Sequence, residues 1–544
     1  MIWIKRNKYP IIITVGILVL IFSLSGLLAL ASSSPGGFWG LAPFLGILIV
    51  AAGLLCGGWL LIRGEHPPNW LAGLLLGAAL LRLSVGLFWF VALPVYGYDS
   101  PAEQGGYIMA DAYDRDGTAW ELAESGKPLL RAFSGNYRRA DQYGGLLFLS
   151  SGIYRIFGGQ QHQPLMVVAI TAAFSALAML FTWAFVKRGW GTSAALIAAW
   201  IVALYPEAVL LGSSQMREAF SITLVAGSFW GMLRYWQERS LSSIVIILFS
   251  LAGSLLLSPP LTALLTIMLA IQLLALGRDT WFKDSRRQRR MWLILLVIAL
   301  LVFAGVWVSW RSFTPQSITN PLELVGWWAK KTAEWQAHLT ERASGWVQKV
   351  FATTPEWSHT PLIILWGVVQ PFIPAAFADV TGSLLWRGVA IWRALGWTLM
   401  LFVTLYAPWR VKRWNDKWKL GSSRSSLSAR ALVIIVWLGI LIAAFRGGGD
   451  QWDNPRYRVA FISLQAALFG WVWVAQRLKP DRWLWRVLIG SGIVIIWFMP
   501  WYLERYIYLS WPIQDVFVLL LLAIGSVILY WIIDILLVRR SGSK

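Results

Sequence analysis

The polar stretch YGYDSPAEQGGYIMADAYDRDGTAWELAESG, residues 96–126, opens a polar interval that runs to residue 159. The whole interval, 96–159, carries eight acidic residues against six basic ones. Apolar runs of about 20 residues recur on both sides, and a run of that length can cross a bilayer as a helix. The pattern predicts an all-α polytopic membrane protein in which 96–159 is a loop outside the bilayer.

The composition supports this class. Of 544 residues, 58% are hydrophobic and 13% charged, whereas a soluble domain carries about 25% charge. The 37 Trp suit the many helix ends of such a protein, because indole rings favour the membrane interface. The net charge of +21 lies mostly at alternate ends of apolar segments, as topology signals do, so nucleic acid is not a predicted partner. A single cysteine, Cys56, excludes an internal disulfide.

About fourteen spans are predicted. The first resembles a signal peptide but is long for one, so we favour an uncleaved helix. The spans cover 11–32, 39–62, 70–95, 164–187, 191–212, 217–235, 241–257, 260–277, 291–310, 387–408, 431–446, 457–476, 484–500 and 514–538.

Positive charge orients these spans. If the N-terminus is cytoplasmic, the cytoplasmic links hold 27 of the 47 Lys and Arg and six acids. Cytoplasmic loops are enriched in Lys and Arg. We therefore expect a multi-pass plasma-membrane protein with both termini in the cytoplasm and with loops 96–164 and 311–386 on the outer side.

Three stretches are expected to form juxtamembrane helices at the outer face. Residues 143–157 are apolar but too short to span, and residues 361–378 are interrupted by Pro371 and Pro374. Residues 320–356 alternate tryptophans with charges in a helical pattern, which is typical of a helix resting on a membrane surface.

The loop acids are the first candidates for chemistry. Asp116 precedes a predicted short helix, 118–125, and could cap it. Asp111 is less easily explained as a cap, and its carboxylate could take a proton from an acceptor or hold a metal beside a phosphate. Asp99 lies closer to the membrane and competes for the catalytic role. A solvated surface acid is the ordinary alternative for each.

Basic residues at the other outer connections are candidates for binding substrate. Arg217 and Glu218 begin one span, and Arg456, Tyr457 and Arg458 begin another after three glycines. Arginine offers a planar fork of donors that matches phosphate oxygens. Anchoring at the interface and a helix-dipole acid are the structural alternatives.

Three other features of the sequence bear on its function. Arg138, in the first loop, is a further predicted substrate-binding residue. Arg82 lies midway along its span, where a charge is costly, so we expect it to face a buried acid, backbone carbonyls or a cavity. The four histidines show no metal-ligand spacing. The sequence predicts no cofactor with certainty, and it leaves open whether a divalent metal ion is bound.

The motifs, in order, resemble those of the GT-C membrane glycosyltransferases. The resemblance rests on Asp111-Ala112 with Asp116, Ala119, Leu122 and Gly126, on Tyr205-Pro206 with Ser213-Ser214 and Arg217-Glu218, and on Asn454-Pro455-Arg456-Tyr457-Arg458. Within that superfamily the chain is similar to the polyprenyl-phosphate-sugar enzymes: protein O-mannosyltransferases, aminoarabinose transferases and rhizobial core-sugar transferases. Many relatives carry Asp-Glu where this chain has Asp111-Ala112.

The resemblance implies a donor, an acceptor and a mechanism. A polyprenyl-phosphate sugar would be the donor, and a glycan, lipid or protein the acceptor, at the outer leaflet. Asp111 would act as general base, Asp99 being the alternative, while Asp116, Arg138, Glu218, Tyr457 and Arg458 would contact substrate. Arg217 and Arg456 would stabilise the leaving phosphate in an inverting displacement.

We expect three regions: two extra N-terminal helices (1–68), a GT-C-like module (69–476), and C-terminal helices with a basic tail (477–544). A flippase for lipid-linked sugars is an alternative that would need buried charges along a path through the membrane. A polysaccharide polymerase or ligase is another, and the acids of the first large loop argue against it.

Overall fold

The computed structural model describes residues 2–32, 38–158, 161–277, 350–378, 382–413, 428–448, 453–507 and 511–541, with runs of one to three residues elsewhere. These residues form helices and turns without a strand, which confirms the predicted all-α class. The first twelve helices are α1 Ile2–Ala31, α2 Phe38–Ile62, α3 Asn69–Tyr96, α4 Pro101–Gln104, α5 Ala110–Glu124, α6 Gly145–Phe157, α7 Leu165–Trp190, α8 Thr192–Leu204, α9 Pro206–Gly212, α10 Arg217–Glu238, α11 Leu241–Leu257 and α12 Pro259–Gly277. The remaining described helices are α13 Glu356–Val369, α14 Ile373–Ala378, α15 Leu384–Arg413, α16 Ala429–Gly447, α17 Asp453–Val459, α18 Ile462–Leu478, α19 Trp483–Ile507 and α20 Val516–Ser541.

The described residues contain eight helices long and apolar enough to cross a membrane, or ten if each of two bent pairs is one span. The count of fourteen is therefore not confirmed. Predicted span 241–257 appears as the shorter apolar helix α11, and of the long helix α1 only Val15–Ala31 counts as a shorter apolar segment. Helix α10 is continuous but less apolar than the eight. The predicted span 291–310 and the predicted surface helix at 320–356 lie largely outside the described residues.

The chain divides into two compact units. The first comprises residues 1–185, 199–267 and 293–309, and the second comprises 186–198, 268–292 and 310–544. This division differs from the three regions expected from the sequence, whose boundaries stay a prediction.

Within the first unit, α10 and α11 form a close helical hairpin that depends on small residues. A Cβ on Gly231 would lie 3.1 Å from Ile246 Cγ2, and one on Gly227 would lie 3.1 Å from Ser250 Oγ. Small residues allow this approach because a larger side chain would hold the two backbones apart. The hairpin places the N-terminus of α10 at the connection that follows α9.

The second unit includes two irregular helices, of which the sequence predicted only the first. The apolar stretch 361–378 is broken, as its prolines predict, between α13 and α14, where the Gln370–Pro371 bond is cis. The predicted span 457–476 is bent by 71° between α17 and α18. Asn454, which is fully buried, stabilises the start of α17 by donating its amide to Gly367 O and Gly448 O.

Candidate active site

The loop 96–159, predicted to lie on the outer side, is built around α5, which is longer than predicted. The sequence placed a helix at 118–125 with Asp116 as its cap, but the helix begins at Ala110 and its N-cap is Met109. Asp116 therefore lies inside the helix, and the capping interpretation was wrong. Asp111 instead occupies the first turn, where a negative charge interacts favourably with the helix dipole. Asp111 is exposed to solvent.

Asp116 is the most deeply buried acid of the loop, with 1% of its surface exposed. Its Oδ2 accepts a hydrogen bond from the Tyr107 hydroxyl at 2.6 Å and lies 2.8 Å from His162 Nε2. Its Oδ1 accepts from the Tyr154 hydroxyl at 2.6 Å. Both carboxylate oxygens thus have hydrogen-bond partners within the protein, which leaves little room for a substrate atom beside them. The predicted contact of Asp116 with substrate stays a prediction.

The environment keeps both tyrosines protonated. Burial raises the pKa of Tyr107 well above its ordinary value, and the negative charge of Asp116 adds to the rise. Burial, followed by the charge of Asp116, raises the pKa of Tyr154 in the same direction. Both hydroxyls therefore remain donors over the physiological range, as a buried carboxylate requires.

The predicted juxtamembrane segment 143–157 forms the short helix α6, and α6 is joined to α5 at several points. Asp141 Oδ2 accepts from the backbone N–H groups of Leu146 and Leu147, both at 3.0 Å, and so satisfies free donors at the start of α6. At its other end, Arg155 donates to Leu122 O at 2.7 Å and to Ala123 O at 3.3 Å. These bonds satisfy carbonyls at the end of α5. The loop is therefore a folded pair of helices.

Asp99 has a different setting. It adopts a left-handed backbone conformation, with φ of +59°, and is exposed to solvent. Its Oδ1 accepts a hydrogen bond from Gln104 Nε2 at 2.9 Å, across the short helix α4. This contact gives Asp99 a local role in the turn after α3, and the structure does not choose between Asp99 and Asp111 as base.

The connection between α8 and α10, which the sequence predicts to be the second outer one, is anchored by Arg82, which is 1% exposed. Its guanidinium donates to Val202 O at 2.9 Å and to Ala203 O at 3.1 Å. These carbonyls belong to the last turn of α8, where helix carbonyls lack intrahelical partners. Of the alternatives left open by the sequence, the structure selects backbone carbonyls. Arg82 thus stabilises the break between α8 and α9, which bend by 51°.

The same connection is held by the first loop. Arg115, buried in α5, donates to Gln215 O at 3.2 Å. The Gln215 side chain donates to Pro164 O at 2.9 Å. The residues that lead into α10 are therefore in direct contact with α5 and with the segment before α7.

Arg217 begins α10 at the end of this connection. Its side chain is 12% exposed, and its Nη1 is buried without a hydrogen-bond partner. The guanidinium lies over the Tyr143 ring, 5.3 Å from the ring centre, and its Nε is 3.8 Å from Glu218 Oε1. A buried donor without a partner is costly, and here it adjoins the N-terminus of a long helix, an environment that favours anions.

A recess of about 340 Å³, counting its part open to solvent, adjoins the contacts between loop and connection. It is lined mainly by aromatic and aliphatic side chains with a few polar groups. The lining residues are Gly86, Trp89, Phe90, Gly106, Tyr107, Ile108, Ala112, Pro164, Leu165, Val168, Ser213, Ser214 and Gln215.

The late arginines lie in the second unit. Arg456 is 5% exposed, and its Nη1 is 3.4 Å from Asp453 Oδ1. Tyr457 lies beneath the guanidinium of Arg446, which is 4.6 Å from its ring centre. Arg458 is 1% exposed, donates to Gln370 O at 3.0 Å and stacks on Trp397 at 3.3 Å. Arg458 therefore packs within its unit, and its predicted contact with substrate stays untested.

Glu218 and Arg138 are the other residues that were predicted to contact substrate. Glu218 is buried beside Arg217, and Arg138 is half-buried after the 3-10 turn Gly135–Tyr137. Within the described ranges, no group of three or more His, Cys, Asp or Glu is placed to hold a metal ion.

Sequence reasoning missed Arg115, Tyr107 and His162 as parts of the site. His162 was set aside because it matched no metal-ligand spacing, which was the wrong test for a residue that binds a carboxylate. Tyr107 and Tyr154 carried one usable signal, since buried phenols need partners. That signal does not say which acid they bind.

Comparison with known proteins bears on this region. The family model for dolichyl-phosphate-mannose-protein mannosyltransferases matches residues 145–310, less than a third of the chain. The matched segment includes Arg217 and excludes Asp111 and Asp116. No curated protein sequence gives a significant match.

Two solved structures of an archaeal oligosaccharyltransferase from Archaeoglobus fulgidus are similar to the chain. The one of AglB with an inhibitory peptide and a dolichol-phosphate has 15% identity and a TM-score of 0.41, covering 84% of this chain and 56% of that one. The apo form has the same identity and TM-score and covers 83% and 56%. The chain thus spans little more than half the length of the solved proteins it matches.

The family match covers α6 and the connection that leads to Arg217. Residues 145–310 therefore resemble the dolichyl-phosphate-mannose-protein mannosyltransferases. For these residues the resemblance to the protein O-mannosyltransferases that the sequence predicted is confirmed.

Proposed function

We propose that the protein is a membrane glycosyltransferase that moves a sugar from a polyprenyl-phosphate donor to a glycan, lipid or protein acceptor. The family match supports membrane glycosyl transfer. The outer side is the proposed face, because the charges of the short links favour it.

Arg217 carries the proposal. A guanidinium nitrogen that is buried without a partner, at the N-terminus of α10, suits an anionic oxygen that approaches from outside the protein. In the proposed reaction, that oxygen belongs to the phosphate of the donor. Charge on the phosphate grows as the glycosidic bond breaks, so a fixed cation stabilises the transition state more than the ground state. Arg456 is a second predicted phosphate ligand.

The bond changes are those of a single displacement. The acceptor hydroxyl or amine forms a bond to the anomeric carbon, and its proton passes to a carboxylate. The bond from the anomeric carbon to the phosphate oxygen breaks, and polyprenyl phosphate leaves with the electron pair. Attack opposite the leaving group inverts the anomeric centre. Asp111 is the proposed proton acceptor, since it is exposed on the folded loop, with Asp99 as the alternative.

The test uses purified protein in detergent with radiolabelled polyprenyl-phosphate sugars and a panel of acceptors. We expect transfer by the wild type, a loss of about 100-fold or more in Asp111→Asn, and a loss of donor binding in Arg217→Ala. Arg139→Ala, which removes an exposed arginine of the first loop, is the matched control. Absence of transfer with every donor would contradict the proposed function. Retained transfer by Asp111→Asn with loss in Asp99→Asn would assign the base to Asp99.

A further inference from the structure

Asp116 accepts hydrogen bonds from side chains in three separate segments of the chain. Tyr107 comes from the turn before α5, Tyr154 from α6, and His162 from the segment before α7. The aromatic rings also pack on one another: Trp120 stacks on His162 with ring centres 5.6 Å apart and meets Tyr154 edge-on at the same distance. We call Asp116, Tyr107, Tyr154 and His162 the carboxylate clamp.

The clamp is specific to a carboxylate. Asp116 needs to accept on both oxygens, and an ionised carboxylate offers acceptors only. An asparagine of the same size would present an amide N–H₂ to a donor on one side. A buried carboxylate without partners would in turn be strongly disfavoured. The four residues therefore form one interdependent arrangement.

The clamp also reaches the connection that leads to Arg217. Arg115, the neighbour of Asp116 on α5, donates to the Gln215 carbonyl at 3.2 Å. The Gln215 side chain donates to Pro164 O, two residues after His162. Gln215 lies two residues before Arg217. Hydrogen bonds thus join α5, which carries Asp111, to the connection that leads into α10, which carries Arg217.

We propose that Asp116 is a positioning residue that sets the placement of Asp111 relative to Arg217. This inference rests on the proposed function, in which both residues act at one anomeric carbon. Asp111 assists the bond that forms to the acceptor, and Arg217 assists the bond that breaks to the phosphate. A displacement in line requires the attacking and leaving groups to be held together in the correct geometry, and an error of about 1 Å can cost about 100-fold in rate. Asp116 contributes by holding α5, α6 and the connection in one arrangement, and it does not itself contact substrate.

The kinetic test is a double-mutant cycle with Asp116→Asn and Asp111→Asn. If Asp116 acts through Asp111, Asp116→Asn lowers kcat by about 10- to 100-fold in the wild type and by less than about 3-fold when Asp111 is already Asn. KM for the donor changes little. Asp114→Asn, an exposed acid two residues away on the same helix, is the matched control and leaves kcat unchanged. Additive losses, or an unchanged kcat, would overturn the proposal.

A milder variant provides the test if Asp116→Asn does not fold. Tyr154→Phe removes one of the three donors to Asp116 and leaves two. The same double-mutant cycle is then measured with Tyr154→Phe in place of Asp116→Asn. A smaller fall in kcat that disappears in the Asp111→Asn background supports the clamp, and an additive fall contradicts it.

Hydrogen exchange, read by mass spectrometry, tests the clamp without any activity. We expect Asp116→Asn and Tyr154→Phe to speed exchange in both 110–124 and 145–157, while Asp114→Asn does not. Unchanged exchange in both variants would refute the clamp even if transfer is observed. Binding of undecaprenyl phosphate distinguishes the proposed phosphate-binding role of Arg217 from the positioning role of Asp116. We expect Arg217→Ala to abolish this binding and Asp116→Asn to retain it. Faster exchange without transfer by the wild type would contradict the proposed function and leave the clamp as a structural element only.

Discussion

Replacing Arg82 by leucine should destabilise the protein by removing the anchor of the second outer connection. Arg82 is 1% exposed and donates to Val202 O at 2.9 Å and to Ala203 O at 3.1 Å, across more than 100 residues of sequence. Leucine leaves both carbonyls without this partner at a buried helix end. The expected fall follows from the cost of those two groups.

Each buried polar group left unsatisfied costs about 1–3 kcal/mol, so the two carbonyls together lose about 2–6 kcal/mol. Removal of a buried guanidinium relieves part of its own desolvation cost, which is several kcal/mol for a buried ion. We therefore expect the free energy of unfolding to fall by about 2–4 kcal/mol, toward the lower part of that range.

Equilibrium unfolding in mixed detergent micelles, followed by circular dichroism, measures this difference. Arg82→Lys keeps the charge but replaces the planar fork by a single ammonium, so it should fall between leucine and wild type. Leu81→Ala on the same helix controls for a general loss of packing. Equal stabilities of Arg82→Leu and wild type would refute the view that Arg82 holds the end of α8.

Three further perturbations probe other parts of the structure. Gly231→Leu should destabilise the hairpin of α10 and α11 by about 1–3 kcal/mol through overpacking, since a Cβ already meets neighbours at 3.1 Å; Gly73→Leu, with open space around its Cβ, should unfold like the wild type. Asp141→Ala removes the acceptor of two N–H groups at the start of α6, so the helix should lose about 1–2 kcal/mol and exchange its amides faster; unchanged exchange would contradict this. Burial raises the pKa of Tyr154, so the tyrosine stabilises the fold at neutral pH and that contribution should be lost as pH rises above about 10, the value in unfolded chains. The decrease in unfolding free energy between neutral and alkaline pH should therefore be smaller in Tyr154→Phe, and an identical decrease would refute the role of the buried hydroxyl.

Local patterns predicted the helices well. Apolar runs of fixed length identify α2, α3, α7, α15, α16, α19 and α20 because each is set by bilayer-length hydrophobicity. The prolines at 371 and 374 likewise predicted the break between α13 and α14. The start of α5 was predicted eight residues late, because Asp116 looked like a helix cap and the charged residues before it showed no apolar face.

The candidate site was only partly predictable. Asp111 and Arg217 were selected from motif order and residue chemistry, both of which are properties of the sequence. Their roles in the reaction stay predictions. Arg82 was predicted to be satisfied internally, because a charge in an apolar helix requires it, but the choice of backbone carbonyls came from the fold.

The sequence by itself determined that the chain is helical, that it is suited to a membrane, and which polar segments interrupt its apolar runs. These properties depend on composition and periodicity over short windows. Only the tertiary structure decided that Asp116 is the most deeply buried acid of the loop and that Asp111 is exposed. The three donors to Asp116 lie 9, 38 and 46 positions away along the chain, and a hydrogen bond between distant side chains exists only once packing has brought their helices together.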